Sequence, residues 1–332
     1  GDFAGHLDRA LELADRAGFE ARAAAAEREG KLLGFGVAAH VDACAPPGAE
    51  TATVRLDEDG GITMAIGTQS GGQGHATAYA QLVAPVLGVP YEKIRLIQGD
   101  TDVNPKGGGT GGSRSMPIGA PSIDAAASRL SEQLKAQAGL LLEAAAVDIE
   151  LGGGLARVAG TDRAVTLADL AARATDRRAL SATQSVEISE RTYPNGTHAV
   201  EVEIDPETGC TRIARYVVVD DLGVVVNPLL LAGQIHGGVA QGIGQALMEQ
   251  VAYDENGQLL TGSLMDYGAP RADQMPPMQA AFEEGAPCRT NLLGVKGVGE
   301  LGTIGAVPSV MHAVLDALAD RKSTRLNSSH VK

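Results

Sequence analysis

Strict alternation of apolar and polar positions marks several short stretches as strands. Leu32–Val41 and residues 51–56 are further strand candidates, the latter joined to Ile62–Ile66 as a hairpin by a turn carrying Asp57, Asp59, Gly60 and Gly61. Residues 93–98 alternate as well, and residues 151–165 offer a short strand pair. Residues 199–204 and 211–219 flank Asp205-Pro206-Glu207-Thr208-Gly209, the pattern of an antiparallel hairpin. A second hairpin signal lies at 254–257.

Helical spacing takes over elsewhere. Ala76, Tyr79, Ala80, Val83 and Leu87 share one stripe and predict a helix over His75–Leu87. Ile123, Ala127, Leu130, Leu134 and Leu141 predict a longer one. Further helices are expected over 10–26, Leu167–Arg173 (opened by Thr166), 229–249 and 307–319. Hairpins mixed with helices, without regular βαβ alternation, argue for an α+β fold of mixed and antiparallel sheets with packed helices. Two subdomains are expected, residues 1–180 and 181–320, with the seam inside 175–192. The basic stretch 321–332 is expected outside the folded unit, as a disordered extension or an assembly artefact.

Charge narrows the function classes. The 332 residues contain 27 Lys and Arg against 41 Asp and Glu, a net charge of −14 with no concentrated basic patch, which excludes nucleic acid as a partner. No membrane span and no signal peptide are predicted, the first twenty residues reading as an amphipathic helix. Cys44, Cys210 and Cys288 are too few and too scattered for a disulfide framework, which fits a reducing, cytoplasmic compartment. No HExxH and no local Cys/His cluster occurs, so no zinc or iron–sulfur site supplied by the protein is predicted.

Glycine changes the picture. The chain has 43, and the surplus concentrates at 71–74, 107–115, 237–244 and 297–305. The first and second precede predicted helices, the arrangement in which bare amides hold an anion. Within the predicted helix 229–249, Gly237, Gly238, Gly242 and Gly244 instead suggest close backbone packing. Gly297-Val298-Gly299-Glu300-Leu301-Gly302 matches GxGxxG in letters, but no second strand with a ribose-binding acid follows, so a nicotinamide site is a weak reading. Glu300 sits among Val295, Val298, Leu301 and Ile304. Desolvated there, it would serve as a general base; otherwise it is a solvated loop residue or a helix cap.

Taken together, the motifs resemble one family. Gly72-Gln73-Gly74-His75, Gly99-Asp100-Thr101-Asp102, Gly109-Thr110-Gly111-Gly112-Ser113-Arg114-Ser115, Tyr193-Pro194-Asn195-Gly196-Thr197-His198 and Asp220-Asp221 begin the match. Gly233-Gln234-Ile235-His236-Gly237-Gly238, Gln241-Gly242-Ile243-Gly244, Gly262-Ser263-Leu264-Met265-Asp266-Tyr267 and Lys296-Gly297-Val298-Gly299-Glu300 continue it in one order. The chain is similar to the molybdenum-binding large subunits of xanthine dehydrogenase, aldehyde oxidase and carbon monoxide dehydrogenase.

That resemblance implies a molybdopterin cytosine dinucleotide with molybdenum, whose sulfur ligands come from the pterin. It places Gly72, Gln73, Gly74 and His75 at the pterin and pyrophosphate, and Thr110, Gly112, Ser113, Arg114 and Ser115 at the dinucleotide phosphates. Arg114 would add a charge-assisted contact or form a structural ion pair instead. Gln241 would bond near the pterin, or be a buried helix residue tied to backbone. Glu300 aligns with the glutamate that takes a proton during oxidative hydroxylation of an aldehyde, N-heterocycle or CO-like substrate. Lys296 would position that loop, or lie on the surface. Electrons would pass to 2Fe-2S and FAD groups on an iron–sulfur small subunit and an FAD-binding medium subunit. The chain would be the C-terminal half of the catalytic subunit, inactive without its N-terminal half. The alternative is a non-catalytic cofactor-binding module or pseudo-subunit.

Overall fold

The computed structural model describes residues 1–104, 106–174 and 176–319. The stretch 321–332 and Thr175 lie outside the described residues, so the expectation for that tail is not addressed.

The hairpin around Asp205–Gly209 is the axis of one sheet. β1 (Leu32–Val41) pairs antiparallel with β9 (Asn195–Ile204), which pairs antiparallel with β10 (Thr211–Asp221); β11 (Met278–Glu283) closes the order in parallel with β10. The second sheet has the order β4-β3-β2-β8, from Ile94–Ile97, Ile62–Ile66, Gly48–Leu56 and Ser181–Ile188. Each sheet draws strands from both sides of residue 180. A small meander, β5 (Ile149–Gly152), β6 (Leu155–Val158) and β7 (Ala164–Thr166), replaces the expected strand pair.

Helices cover the sheets where their apolar stripes require it. α3 (His75–Leu87) and α4 (Ala120–Leu142) bury Tyr79, Val83, Leu87, Ile123, Leu130 and Leu134 against Val54, Ile62, Met64 and Ile66 of the second sheet. Two stripe positions fail: Ala76 is exposed, and Leu141 lies on the open side beyond Ala138. α5 (Leu167–Arg173) is capped by Thr166, whose hydroxyl accepts from the Asp169 amide.

On the first sheet, α6 (Pro228–Leu247) and α7 (Leu301–Leu318) pack over Val200, Val202, Tyr216 and Val218, while α1 (Phe3–Leu13) covers the other face at Ala199, Val217 and Val219. The expected helix over 10–26 is two helices. A break with Asp15 in the left-handed region separates α1 from α2 (Phe19–Arg28), and Arg22 ties that break to Glu201 on β9.

α7 begins six residues earlier than its spacing predicts, so Gly302 and Gly305 are helical rather than loop. By length and composition it is apolar enough to cross a membrane, contrary to the expectation of no such segment. It lies instead on β1 and α6. Its Gly302 Cα sits where a Cβ on Gly238 would come within 3.0 Å, which is how the two helices approach so closely. The turn at 254–257 forms with a single Tyr253–Leu259 bridge and no extended strands.

Candidate functional site

Three loops converge at the N-terminal ends of α3, α4 and α7. The first, between β3 and α3, delivers His75 as the opening residue of its helix. His75 is buried, and Gln98 bonds both Thr68 Oγ1 at 3.0 Å and His75 Nδ1 at 3.2 Å. Burial lowers the imidazole pKa more than the Gln98 contact raises it, so the ring is neutral. Gln73 folds onto its own loop, its Oε1 accepting from the Gly71 amide at 2.6 Å.

The second loop, 106–115, is organised by a buried ion pair. Arg114 reaches Glu50 on β2 at 2.8 Å and also donates to the carbonyls of Gly109 and Ala49, while the Gly108 amide donates to the same Glu50 oxygen. The structural ion pair is therefore what Arg114 makes, and its charge is spent behind the loop. Thr110 Oγ1 accepts from the Gln69 amide at 3.0 Å and meets Ser115 Oγ at 2.8 Å, linking this loop to the first. Ser115 opens a π-turn, Ser115–Gly119, ahead of α4, a distortion that recurs at functional sites.

The third loop, 291–300, is pinned from beneath. Lys296 is buried and pairs with Asp221 at 2.9 Å, so it positions the loop rather than lying on the surface. The Gly297 amide donates to Thr192 Oγ1, and a Cβ on Gly297 would collide with Cys44 and Ser113. That contact brings the loops together: Ser113 Oγ donates to Glu300 Oε2 at 2.9 Å across 187 residues of sequence. Ser113 holds this position at a φ of +57°, a conformation costly for a side chain with a Cβ. Ala45, at +53°, faces it, its amide bonded to the Gly112 carbonyl.

Two recesses meet at Gly299. One, of about 140 Å³, is lined by Gln73, His75, Thr110, Ser113 and Ser115 together with apolar residues such as Val224 and Leu230. The other, of about 500 Å³, is lined by Gly112, Gln241 and Glu300 together with Asp42, Cys44 and Arg191. Gly72 and Gly74 shape the first loop with φ of +114° and +81° without lining either recess.

Glu300 differs from the desolvated carboxylate considered above. It is exposed toward the recess and occupies the N-cap of α7 without a side-chain cap bond, because Val295 and Leu301 turn their apolar side chains inward. Gln241 is likewise exposed and 3.5 Å from Thr303 Oγ1, not a buried helix residue tied to backbone.

Sequence reasoning missed Asp42 and gave Cys44 no role here. Asp42 Oδ2 is buried without a partner, and its pKa is raised by burial first and then by the Glu300 charge. Burial pushes the Cys44 thiol up to about 11, so it stays protonated. Glu50 and Thr192 were also invisible, since their partners lie 64 and 105 residues away, and the motif residue Asp221 had no assigned role because Lys296 is 75 residues from it.

The chain matches the molybdopterin cofactor-binding domain family over residues 9–276. It is 38% identical over 341 aligned residues to the nicotine 6-hydroxylase large subunit of Paenarthrobacter nicotinovorans, covering 96% of this chain and 42% of that one. Against the carbon monoxide dehydrogenase large chain of Hydrogenophaga pseudoflava it is 34% identical over 288 residues, covering 85% and 36%. The crystal structure of quinoline 2-oxidoreductase from Pseudomonas putida 86 matches with a TM-score of 0.83 at 37% identity, covering 96% of this chain and 43% of that one. The chain spans about two fifths of the length of the curated relatives it matches.

Proposed function

Because the chain belongs to the molybdopterin cofactor-binding domain family, as a molybdenum-binding large subunit of the xanthine dehydrogenase and carbon monoxide dehydrogenase type, we propose that its paired recesses hold a molybdopterin cytosine dinucleotide and that Glu300 is the base of an oxidative hydroxylation.

The donor set suits that group. The smaller recess combines hydroxyls from Thr110, Ser113 and Ser115 with apolar side chains such as Val224 and Leu230, which suits a heterocycle with a polar edge. Arg114 is paired with Glu50 and Lys296 with Asp221, so phosphates at the smaller recess would meet amides and hydroxyls, while Arg191 at the larger recess makes no ion pair among the described residues. Cys44, which lines the larger recess, keeps its proton, which suits a metal whose sulfur ligands belong to the cofactor.

When bound, the cofactor supplies the electron acceptor of the reaction. The chain's own part is positional and basic. Ser113 holds Glu300 Oε2 and turns the carboxylate into the recess, where it accepts the proton of the attacking oxygen. Gln241 and the Gly112 backbone line the same space, and Asp42 adds a second carboxyl group beside it. The substrate is an aldehyde, an N-heterocycle or a CO-like molecule, held against the N-terminal half of the large subunit. Electrons continue to 2Fe-2S and FAD on the iron–sulfur small subunit and the FAD-binding medium subunit, in the cytoplasm.

The Ser113–Glu300 contact carries this reading, because it joins the expected phosphate loop to the expected base loop at one recess. The test is Glu300→Gln in the assembled enzyme. Cofactor content should stay unchanged while turnover falls by about 10²–10⁴-fold. Unchanged turnover would remove Glu300 from the reaction. Protein lacking both molybdenum and nucleotide would leave the non-catalytic module instead.

A further inference from the structure

Beneath α7, away from both recesses, three polar side chains meet in a closed space. Sheet register puts them there. His40 on β1 and Asp220 on β10 both lie opposite Gly196 on the intervening β9, and His198 lies two residues further along β9, opposite Ala38 and Val218. Side chains on one face of a sheet recur every second residue, so all three project toward α7, as do Gly34 and Gly36 of β1, where an added Cβ would meet α7 backbone. Two glycines make the room. A Cβ on Gly196 would collide with Asp220 Oδ1, and one on Gly305 of α7 would stand 2.6 Å from the His198 ring.

Inside this space the polar atoms are unsatisfied. The side chains of His40, His198 and Asp220 are 5%, 0% and 0% exposed. His40 Nε2, His198 Nε2 and both Asp220 carboxylate oxygens have no hydrogen-bond partner. His40 Nε2 is 3.6 Å and His198 Nε2 is 3.8 Å from Asp220 Oδ1, too long for direct hydrogen bonds. Buried polar groups are normally hydrogen-bonded, and leaving four such atoms unpaired is costly enough that an ion or a water belongs between them.

The spacing suits a metal ion. One ligand atom from each residue lies within 4.8 Å of the others. In a tetrahedral zinc site with bonds of about 2.0–2.1 Å, donor atoms stand roughly 3.4 Å apart, against 3.6 and 3.8 Å from the two imidazoles to Asp220 Oδ1. The other ring nitrogen of His198, Nδ1, is 2.9 Å from Tyr216 Oη, the kind of outer contact that orients a ligating imidazole. Two imidazoles and a carboxylate favour zinc over calcium or magnesium, which prefer all-oxygen sets.

We propose that His40 Nε2, His198 Nε2 and the Asp220 carboxylate bind one zinc ion, the second carboxylate oxygen or a water completing four-coordination. The site ties β1, β9 and β10 together under the N-terminal half of α7. It is closed to substrate and therefore structural, and it does not rest on the cofactor reading. It also revises the expectation that the chain supplies no zinc site, since three residues spread from 40 to 220 leave no local sequence signature.

The test measures zinc in the purified full chain prepared with zinc sulfate and then desalted. About one zinc per chain is expected. Asp220→Asn and His40→Gln should each reduce it below about a tenth, while His312→Gln, an exposed histidine on α7, should leave it unchanged. A chelator should lower the melting temperature of the parent protein and not that of the two variants. If those variants do not fold, anomalous diffraction at the zinc edge of the parent protein replaces them, with a peak between the three side chains expected. Zinc-free parent protein, equal zinc in all variants, or an ordered water at that position would each overturn the proposal.

Discussion

The glycines at the loops 71–74 and 107–112 and those between α6 and α7 are alike in sequence and opposite in use. Gly72, Gly74, Gly109 and Gly112 take left-handed backbone, and around Gly72 and Gly109 nothing lies within 4 Å of a would-be side chain. Their freedom shapes loops open to a ligand. Gly238, Gly242 and Gly302 are ordinary helix residues, and a Cβ there would run into the facing helix: Gly302 against the Ile235 carbonyl at 2.7 Å, Gly242 against the Ala306 side chain at 2.5 Å. Their smallness sets a helix spacing. A count of glycines therefore overstates the ligand-facing surface, because some of them set a helix spacing instead.

Substitutions should separate the two uses. The largest stability effect is expected where the ligand loop is anchored. Glu50→Gln leaves Arg114 buried without its partner and frees the Gly108 amide, and should cost about 3–5 kcal/mol in chemical denaturation. Gly302→Val forces α6 from α7 and should cost about 1–3 kcal/mol, lowering the melting temperature before any cofactor is lost. Gly72→Ala should cost only about 1 kcal/mol, from its left-handed backbone, and its main effect should fall on cofactor retention. Equal cofactor retention in Gly72→Ala and the parent would break the comparison. The smallest effect concerns Cys44. With its pKa at about 11, roughly a thousandth of the thiol is ionised near pH 8, so maleimide labelling should stay slow until the protein unfolds.

The same contrast explains what the sequence could reveal. The α+β character was legible because 199–204 and 211–219 alternate around a Pro/Gly turn, and because the stripes of α3 and α4 carry one clear apolar face. β8 and β11 were not legible, because one is half exposed beside β2 and the other pairs in parallel with a strand 57 or more residues earlier. The first turn of α7 was hidden by glycines that look like a loop until α6 is placed against them. At the site, the loop residues were visible as motifs. Their anchoring was not: Glu50 and Thr192 lie in no motif, the pairing of Asp221 with Lys296 spans 75 residues, and the exposure of Glu300 depends on which way Leu301 turns.

The central claim is that the two loops with left-handed glycines hold a dinucleotide form of the molybdenum cofactor. The most direct measurement is molybdenum together with nucleotide released by acid from the purified protein. About one molybdenum and one cytidine nucleotide per chain are expected, both diminished in Gly72→Ala. Molybdenum without nucleotide, or neither in a folded protein, would contradict the account.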